Sequence, residues 1–222
     1  MLCRDEHHYT FEMPKLPFKF WNRHPSIVAA ELIGHTLTRL LEDGSRLSGR
    51  IIETEAYHHS EAACHAYRFE NRERSDRVAH FFGPAGVTYV YLNYGIHHLL
   101  NVITGPDEDG SAVLIRAIEP KSGIDRMRLN RGNVRDKNLC NGPGKLTSAL
   151  SIDLSHNKVK LHRGEDQIAF SRPNLDAIVE LSAGPRVGIS KATDLPWRFA
   201  ERDNPNISKA KENRLLVPIS SP

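Results

Sequence analysis

The feature that most constrains the fold is a series of apolar, strand-like segments separated by very short polar turns. The segments cover residues 36–41, 47–57, 88–94, 97–104 and 112–118. The Asp-Gly step at Asp43-Gly44, between the first two, favours a β-hairpin. The later segments are separated by Gly95 and by the turn at 105–110. Parallel neighbours need a crossover of a dozen or more residues, so these strands are predicted to lie in an antiparallel or mixed sheet.

Helices are predicted between and after these strands. Pro25 opens an apolar run that Gly34 is placed to end, which indicates a short helix. Further helices are predicted near residues 123–131 and 143–150, and further strands at 186–190 and 197–199. The predicted fold class is therefore α+β, with helices packed against the sheet.

Length and composition favour one soluble domain. With 222 residues, the chain is predicted to form one domain at 17–202, preceded by a flexible arm at 1–16 and followed by a polar tail at 203–222. No apolar run approaches the roughly 20 residues that cross a bilayer, so no membrane partner is expected. The N-terminus lacks the apolar stretch of a secretory signal, which predicts that the chain stays where it is made. The odd set Cys3, Cys64 and Cys140 indicates unpaired thiols in a reducing compartment.

The strand at 50–57 carries an unusual pair of carboxylates. Side chains alternate along a strand, so Glu53, Glu55 and Tyr57 are predicted to share one face. The apolar run 112–118 contains a single arginine, Arg116, which needs an anion if it is buried. Two interpretations stay open: a structural salt bridge, or a carboxylate held ionised to act as a base.

Tyr94 directly precedes Gly95 at a predicted tight turn. A bulky ring at such a position is expected to project outward and not into the core. An exposed ring at a hairpin tip can wedge into a base stack, as apolar side chains of minor-groove proteins do. This position therefore indicates contact with nucleic acid, although a core role for the tyrosine cluster is the alternative.

Several motifs in order along the chain resemble the alkyladenine DNA glycosylases, also called methylpurine or 3-methyladenine DNA glycosylases. They are Gly49-Arg50-Ile51-Ile52-Glu53-Thr54-Glu55-Ala56-Tyr57, Ala62-Ala63-Cys64-His65, Tyr89-Val90-Tyr91-Leu92-Asn93-Tyr94-Gly95 with Asn101, the run 112–120, Asn141-Gly142-Pro143-Gly144-Lys145-Leu146, and Arg186-Val187-Gly188. The resemblance implies a single mixed domain with a curved, mainly antiparallel β-sheet core, flanked by helices and carrying an inserted β-hairpin.

The resemblance also implies catalytic roles. Glu55 becomes the general base that activates water, while Arg116 and the backbone carbonyl of Val187 help to hold that water. Glu53 becomes structural. No cofactor and no metal are implied.

Binding roles follow from the same resemblance. Tyr57, His65 and Tyr91 would sandwich a flipped base, and Asn101 would discourage guanine by opposing its exocyclic amino group. The DNA contacts implied are the intercalating Tyr94, the Gly142 bend and Lys145.

The implied function is a base-excision-repair glycosylase. Lyase activity would need an amine nucleophile in the pocket, and none of the predicted pocket positions is a lysine, so hydrolysis alone is expected. The glycosylase would flip alkylated purines out of double-stranded DNA and hydrolyse the N-glycosidic bond, leaving an abasic site; deaminated purines are an open further substrate class. An alkylated purine is cationic and leaves readily, so a positioned water and a carboxylate suffice. We expect a monomer, cytoplasmic and nucleoid-associated in a bacterium or nuclear in a eukaryote.

Three places depart from the family pattern: the segment 66–81, the step His58-His59, and His97. Two rival functions stay open. One is a metal-dependent hydrolase using His58, His59, Cys64 and His65, with His97 or His98 as a further candidate ligand, although no regular zinc spacing is present. The other is a DNA-binding module without catalysis, in which the tyrosines and basic residues bind and the carboxylates are structural.

Overall fold

The computed structural model describes residues 15–67, 76–132, 134–162, 167–172 and 179–220. The α-helices in these ranges are α1 (Phe18–Trp21), α2 (Pro25–Glu31), α3 (Asp76–Phe81), α4 (Ile124–Asn130) and α5 (Pro143–Ala149). The strands are β1 (Thr36–Leu40), β2 (Arg46–His58), β3 (Thr88–Asn93), β4 (His97–Thr104), β5 (Ser111–Ser122), β6 (Ile168–Ser171), β7 (Leu181–Gly184), β8 (Arg198–Glu201) and β9 (Val217–Ile219). None of these helices has the length and hydropathy needed to span a bilayer.

All nine strands belong to one sheet, and every pairing between them is antiparallel. The main path runs β3-β4-β5-β2-β8-β7-β9, while β1 pairs with β2 and β6 pairs with β1. The predicted hairpins β1–β2, β3–β4 and β4–β5 are therefore confirmed, as is the α+β class. Short turns fixed these pairings, because they allow only antiparallel neighbours.

Strand β2 organises the sheet because three strands pair with it. Its first part pairs with β1, residues Glu53–Glu55 pair with β8, and β5 runs along its other side. The register with β5 shifts between Ile51 and Thr54. Such irregularities bend a strand and redirect its side chains. The bend lies where Glu53 and Glu55 enter the interior, and neither residue is exposed.

Two apolar clusters hold the helices against this sheet. The larger one includes Val28 and Leu32 of the α2 region and Leu146 of α5, all completely buried. The α2 helix begins at Pro25, as predicted, and Gly34 adopts a φ of 90° just beyond its end. The smaller cluster packs Phe81, Phe82 and Tyr89 beneath Tyr57 and Tyr91. It therefore forms the base of the surface that carries the aromatic site residues.

The strand predicted at 186–190 is wrong. Strand β7 lies at Leu181–Gly184, and residues 186–190 form an irregular loop in which Gly188 has a φ of 74°. In this loop, the Arg186 side chain and the Val187 backbone amide bind residues of β2 and of the segment that follows it. Arg186 turns inward to Glu61 and to the carbonyl of Ala56, and the Val187 amide donates to Glu55.

Described residues on both sides of the predicted domain at 17–202 make contacts with it. The predicted arm falls mostly outside the described residues, but Lys15 bridges Ser171 and Leu16 is buried. After residue 202, where a polar tail was predicted, Ser208 is buried and β9 pairs with β7. Residues 203–220 therefore pack onto the domain. Ser208 contacts Glu53, and the three-residue strand β9 pairs at the edge of the sheet.

Candidate active site

Glu55 lies near the end of β2 and is completely buried. Its Oε2 accepts hydrogen bonds from the Tyr57 hydroxyl at 2.8 Å and from Arg116 Nη1 at 3.1 Å. Its Oε1 accepts one from the backbone amide of Val187 at 2.6 Å. All three donors line a cavity of about 710 Å³, so the carboxylate lies directly behind the cavity wall.

Arg116 is the cation that the buried carboxylates require. Its Nε donates to Glu53 at 3.1 Å while Nη1 reaches Glu55. Burial would lower the pKa of Arg116, but the charges of Glu55 and Glu53 outweigh it and raise the pKa above its usual value. The arginine therefore stays charged, as expected for a cation between two buried anions.

Glu53 is held by more donors than any other carboxylate near the site. Arg116 and Arg198 both donate to its Oε1, and Ser208 donates to it through both its amide and its hydroxyl, each at 2.7 Å. Burial would raise the pKa of Glu53, but these partners outweigh it and hold the pKa below its usual value. These four donors match the roughly four lone-pair positions of an ionised carboxylate, which agrees with a structural role.

Tyr57 supplies a hydroxyl to Glu55 and an aromatic face to the cavity. Burial and the neighbouring Glu55 charge raise the pKa of Tyr57 well above its usual value, so its hydroxyl remains a donor. Arg186 stacks 4.6 Å from the centre of the ring, and its guanidinium is bound in turn by Glu61. This backing fixes the plane of the tyrosine.

The residues predicted to bind a base meet in the same cavity. His65, Tyr91 and Asn101 line it together with Tyr57. The His65 and Tyr91 rings lie 5.0 Å apart at an interplanar angle of 69°. Tyr89, which the sequence did not single out for the site, also lines the cavity and lies 5.3 Å from Tyr91.

Asn101 lines the cavity, and its side-chain amide is bound by the main chain. Its Nδ2 donates to the main-chain carbonyls of Tyr89 at 3.1 Å and Leu99 at 3.4 Å. The amide nitrogen is therefore engaged by the backbone of β3 and β4.

Val187 differs in detail. Its backbone carbonyl was predicted to help hold a water, whereas the amide of this residue contacts Glu55. The loop that carries it lines the cavity through Val187, Gly188 and Ile189. The residue is therefore at the predicted place, but its observed contact with Glu55 is as a donor.

The β3–β4 hairpin ends in an exposed apolar tip. Tyr94 is 89% exposed and has a φ of 49°, a strained value for a residue with a side chain. Ile96, two residues further, is 72% exposed. The predicted outward position of Tyr94 is confirmed, and Ile96 is a second apolar side chain that the sequence analysis missed.

Gly142 and Lys145 lie at the start of α5 on another wall of the cavity. Lys145 Nζ donates to Asn141 Oδ1 at 2.9 Å. Burial, together with the charges of Arg131 and Lys209, lowers the pKa of Lys145. Three cations thus influence this side of the cavity, which favours an anionic ligand there.

Two lysines, Lys145 and Lys191, line the cavity. No lyase activity was expected because the predicted pocket positions include no lysine. The observed cavity, however, has these two lysine side chains in its wall. Lys145 is tied to Asn141, and no hydrogen bond from either amine to Glu55 occurs among the described residues.

The residues of the metal-hydrolase alternative do not form one site. Within the described part of the chain, the one group of side chains arranged to hold a metal ion is His58, His59 and Asp109. Cys64 is not part of it, and burial raises the pKa of that thiol to about 12, which disfavours the thiolate that metals bind. None of the three grouped residues lines the cavity beside Glu55.

Several supporting residues lie far away in sequence. Ser208, Arg198 and Arg186 each hold a group that contacts Glu55 or its partners, and none was predicted in that role. The family resemblance included Arg186 as part of a motif and assigned a role to the backbone carbonyl of Val187. It assigned no role to the Arg186 side chain. No local pattern would have revealed these contacts, because each joins segments more than 90 residues apart.

Comparison with known proteins agrees with this geometry. Residues 19–205 match the family model described as methylpurine-DNA glycosylase. A relative from Rhodopseudomonas palustris strain BisB18 is 45% identical over 88% of this chain and 92% of its own length. One from Francisella tularensis strain SCHU S4 is 42% identical over 82% and 92%. Both carry the provisional name 3-methyladenine DNA glycosylase. The chain therefore belongs to the methylpurine-DNA glycosylase family.

Proposed function

We propose that this chain excises alkylated purines from duplex DNA by hydrolysing the N-glycosidic bond. The observation that carries the proposal is a completely buried Glu55, bound by Arg116, Tyr57 and Val187 directly behind an aromatic cavity. The names of its relatives favour 3-methyladenine as one substrate.

Glu55 acts as the general base in this proposal. An ionised carboxylate has about four lone-pair positions, and three donors fill two on Oε2 and one on Oε1. The remaining position on Oε1 is closed to solvent, because Glu55 has no accessible surface, so the attacking water must enter past Val187 at the cavity wall. Glu55 then takes the proton of this water, and its charge stabilises the positive charge that develops on the sugar.

The aromatic cavity selects the base. Alkylation at a ring nitrogen makes a purine cationic, and a cation over an aromatic face gains roughly 0.5 to 2 kcal/mol. The rings of Tyr57 and Tyr91 line the cavity on which such a base would lie. Neutral normal purines lack this gain, so the cavity favours damaged bases that are already good leaving groups.

Because the target atom is inaccessible inside a duplex, the base must rotate out of the helix. We propose that Tyr94, at the exposed tip of the β3–β4 hairpin, fills the space that the base leaves. The cations around Lys145 support a phosphate contact at the other side of the cavity.

The direct test is release of free bases from dimethyl-sulfate-treated duplex DNA under single-turnover conditions, with EDTA present. We expect alkylated purines to be released, and no release from the same duplex without methylation. Binding to the treated DNA without any release would instead support a DNA-binding module. Activity that appears only after zinc is added back would support a metal enzyme.

Replacing Tyr94 with Ala is expected to weaken binding to a lesion-containing duplex by roughly 5- to 150-fold. This range corresponds to the loss of one aromatic stacking contact, about 1 to 3 kcal/mol. Fluorescence anisotropy with a labelled duplex measures it. Tyr94→Phe keeps the ring and is the matched control, expected to bind like the intact chain. Equal binding by Tyr94→Ala would remove the hairpin tip from the proposed interface.

The reaction is proposed to stop at the abasic site. A lyase would form a Schiff base between an amine and the sugar, and borohydride would trap it as a covalent adduct. We expect no adduct with the intact chain on lesion DNA, because Glu55 directs water to the sugar carbon. An adduct that disappears in Lys145→Gln or Lys191→Gln would contradict this expectation and would identify the amine.

A further inference from the structure

The end of β2 and the β4–β5 turn bring together two imidazoles and a carboxylate. One potential ligand atom from each of His58, His59 and Asp109 lies within 4.8 Å of the other two. His58 Nε2 is 3.2 Å from Asp109 Oδ1. Tetrahedral zinc with bonds of 2.0–2.1 Å places its ligand atoms about 3.3 Å apart, so the His58–Asp109 pair already has the required spacing and the other atoms must approach by up to about 1.5 Å.

The Nδ1 atoms of both histidines contact oxygen atoms outside the cluster of potential ligand atoms. His59 Nδ1 contacts the backbone carbonyl of Asp109, and His58 Nδ1 lies 2.7 Å from the Ser60 hydroxyl. Histidines that bind metals almost always donate their second ring N–H to such an oxygen. These contacts orient both rings. The Ser60 amide also donates to His58 Nδ1 at 3.2 Å, which places the ring proton on Nε2, facing Asp109, so zinc at His58 Nε2 requires the other tautomer, with its proton on Nδ1 facing the Ser60 hydroxyl.

The backbone around the cluster is also fixed. The His59 amide donates to the carbonyl of Gly110 at 2.8 Å, and His58 is paired with Ser111 across β2 and β5. His24 stacks on His58 with ring centres 5.7 Å apart, which covers one side. The Asp109 side chain is 29% exposed, so an ion can enter from solvent.

From this arrangement we propose that His58, His59 and Asp109 form a zinc-binding site, with water as the fourth ligand. Two imidazoles and one carboxylate are a donor set that suits Zn²⁺ and not Mg²⁺ or Ca²⁺, which prefer oxygen ligands alone. The site lies outside the cavity next to Glu55. Its role is to fasten the end of β2, one residue beyond Tyr57, to the β4–β5 turn.

The test is titration of the full chain, first treated with a chelator and then freed of it, with Zn²⁺ alone in a calorimeter. We expect one ion per chain. At free Zn²⁺ a hundredfold above Kd, the melting temperature should rise by about 5 °C or more. Mg²⁺ at the same concentration should produce neither effect. No zinc binding by the intact chain would overturn the proposal, leaving only a His–Asp hydrogen bond.

Two variants assign the ligands. His58→Leu removes an imidazole, and Asp109→Asn keeps the shape of the side chain while removing its charge. Each should weaken zinc binding by more than about 100-fold, since even the loss of a residue that only orients a ligand costs roughly 10- to 100-fold. His98→Gln, a histidine of β4 outside the cluster, is the matched control and should bind zinc normally. Unchanged binding in both cluster variants would contradict the assignment.

Cobalt provides a check that does not depend on stability. Co²⁺ bound by His58, His59 and Asp109 should give visible d–d bands without the thiolate charge-transfer band that a cysteine ligand produces. A thiolate band would mean that the metal is bound elsewhere, through a cysteine, and would overturn the proposal. Base release in EDTA tests the glycosylase separately, so failure of one proposal does not affect the other.

Discussion

Glu55→Gln is expected to lower the single-turnover rate of base release by about 10²- to 10⁴-fold while lesion DNA remains bound with nearly unchanged affinity. Glutamine has the shape of glutamate, and its oxygen can still accept from the Val187 amide. It cannot take a proton from water or stabilise a developing positive charge. Positioned general bases contribute rate factors of this size.

The measurement pairs two assays on one duplex. Released base is quantified over time, and anisotropy reports binding of the same DNA. Glu119→Gln is the matched control. Glu119, on β5, pairs with Arg50 of β2 and with Lys121, and it does not line the cavity. This variant should release bases like the intact chain. If Glu55→Gln does so too, another group activates the water.

The β-sheet could be predicted from the sequence wherever its pairing is local. The hairpins around Gly44, Gly95 and 105–110 follow from turns too short for any other connection. The loop at 186–190 could not be predicted from its residues. Its backbone and side chains are used by Glu55 and Glu61, more than 120 residues earlier in the chain.

The residues of the site also fall into those that could be predicted from local sequence and those that could not. Alternation along β2 placed Glu53, Glu55 and Tyr57 on one face, and the lone arginine in an apolar strand identified Arg116. Ser208 escaped notice because nothing in its own neighbourhood indicates burial. Arg198 lies between Trp197 and Phe199 in a predicted strand, a signal like that of Arg116, but its partner Glu53 is 145 residues away. A serine in a polar segment becomes a buried donor only when the chain returns to Glu53, 155 residues away.

The site depends on Glu53 for its structure, because this carboxylate holds Arg116, Arg198 and Ser208 in place. Glu53→Ala is expected to lower the free energy of unfolding by about 3 to 5 kcal/mol, the usual cost of removing one partner from a buried ion pair. It leaves Arg116 and Arg198 in the interior without their shared carboxylate, and it frees the Ser208 amide and hydroxyl. For a chain of this length, the melting temperature should fall by about 10 °C.

Glu119→Ala is the control for charge removal, because Arg50 keeps its second partner Glu201 and the group is partly exposed. Its melting temperature should change by about 3 °C or less. The pH dependence separates burial of a charge from simple loss of packing. The pKa of Glu53 is held below its usual value near 4.5 in the fold, so its contribution is present above that pH and is lost as the pH falls through the lowered pKa.

The difference in stability between the intact chain and Glu53→Ala should therefore be constant above about pH 5 and should shrink at lower pH. A difference that grows as the pH falls would mean that Glu53 is held as a neutral, packed side chain with a raised pKa. In that case Arg116 would be balanced by Glu55 alone. Glu55 would then have to serve as the counter-ion of Arg116 as well as the base, and the division of work between the two carboxylates would not hold.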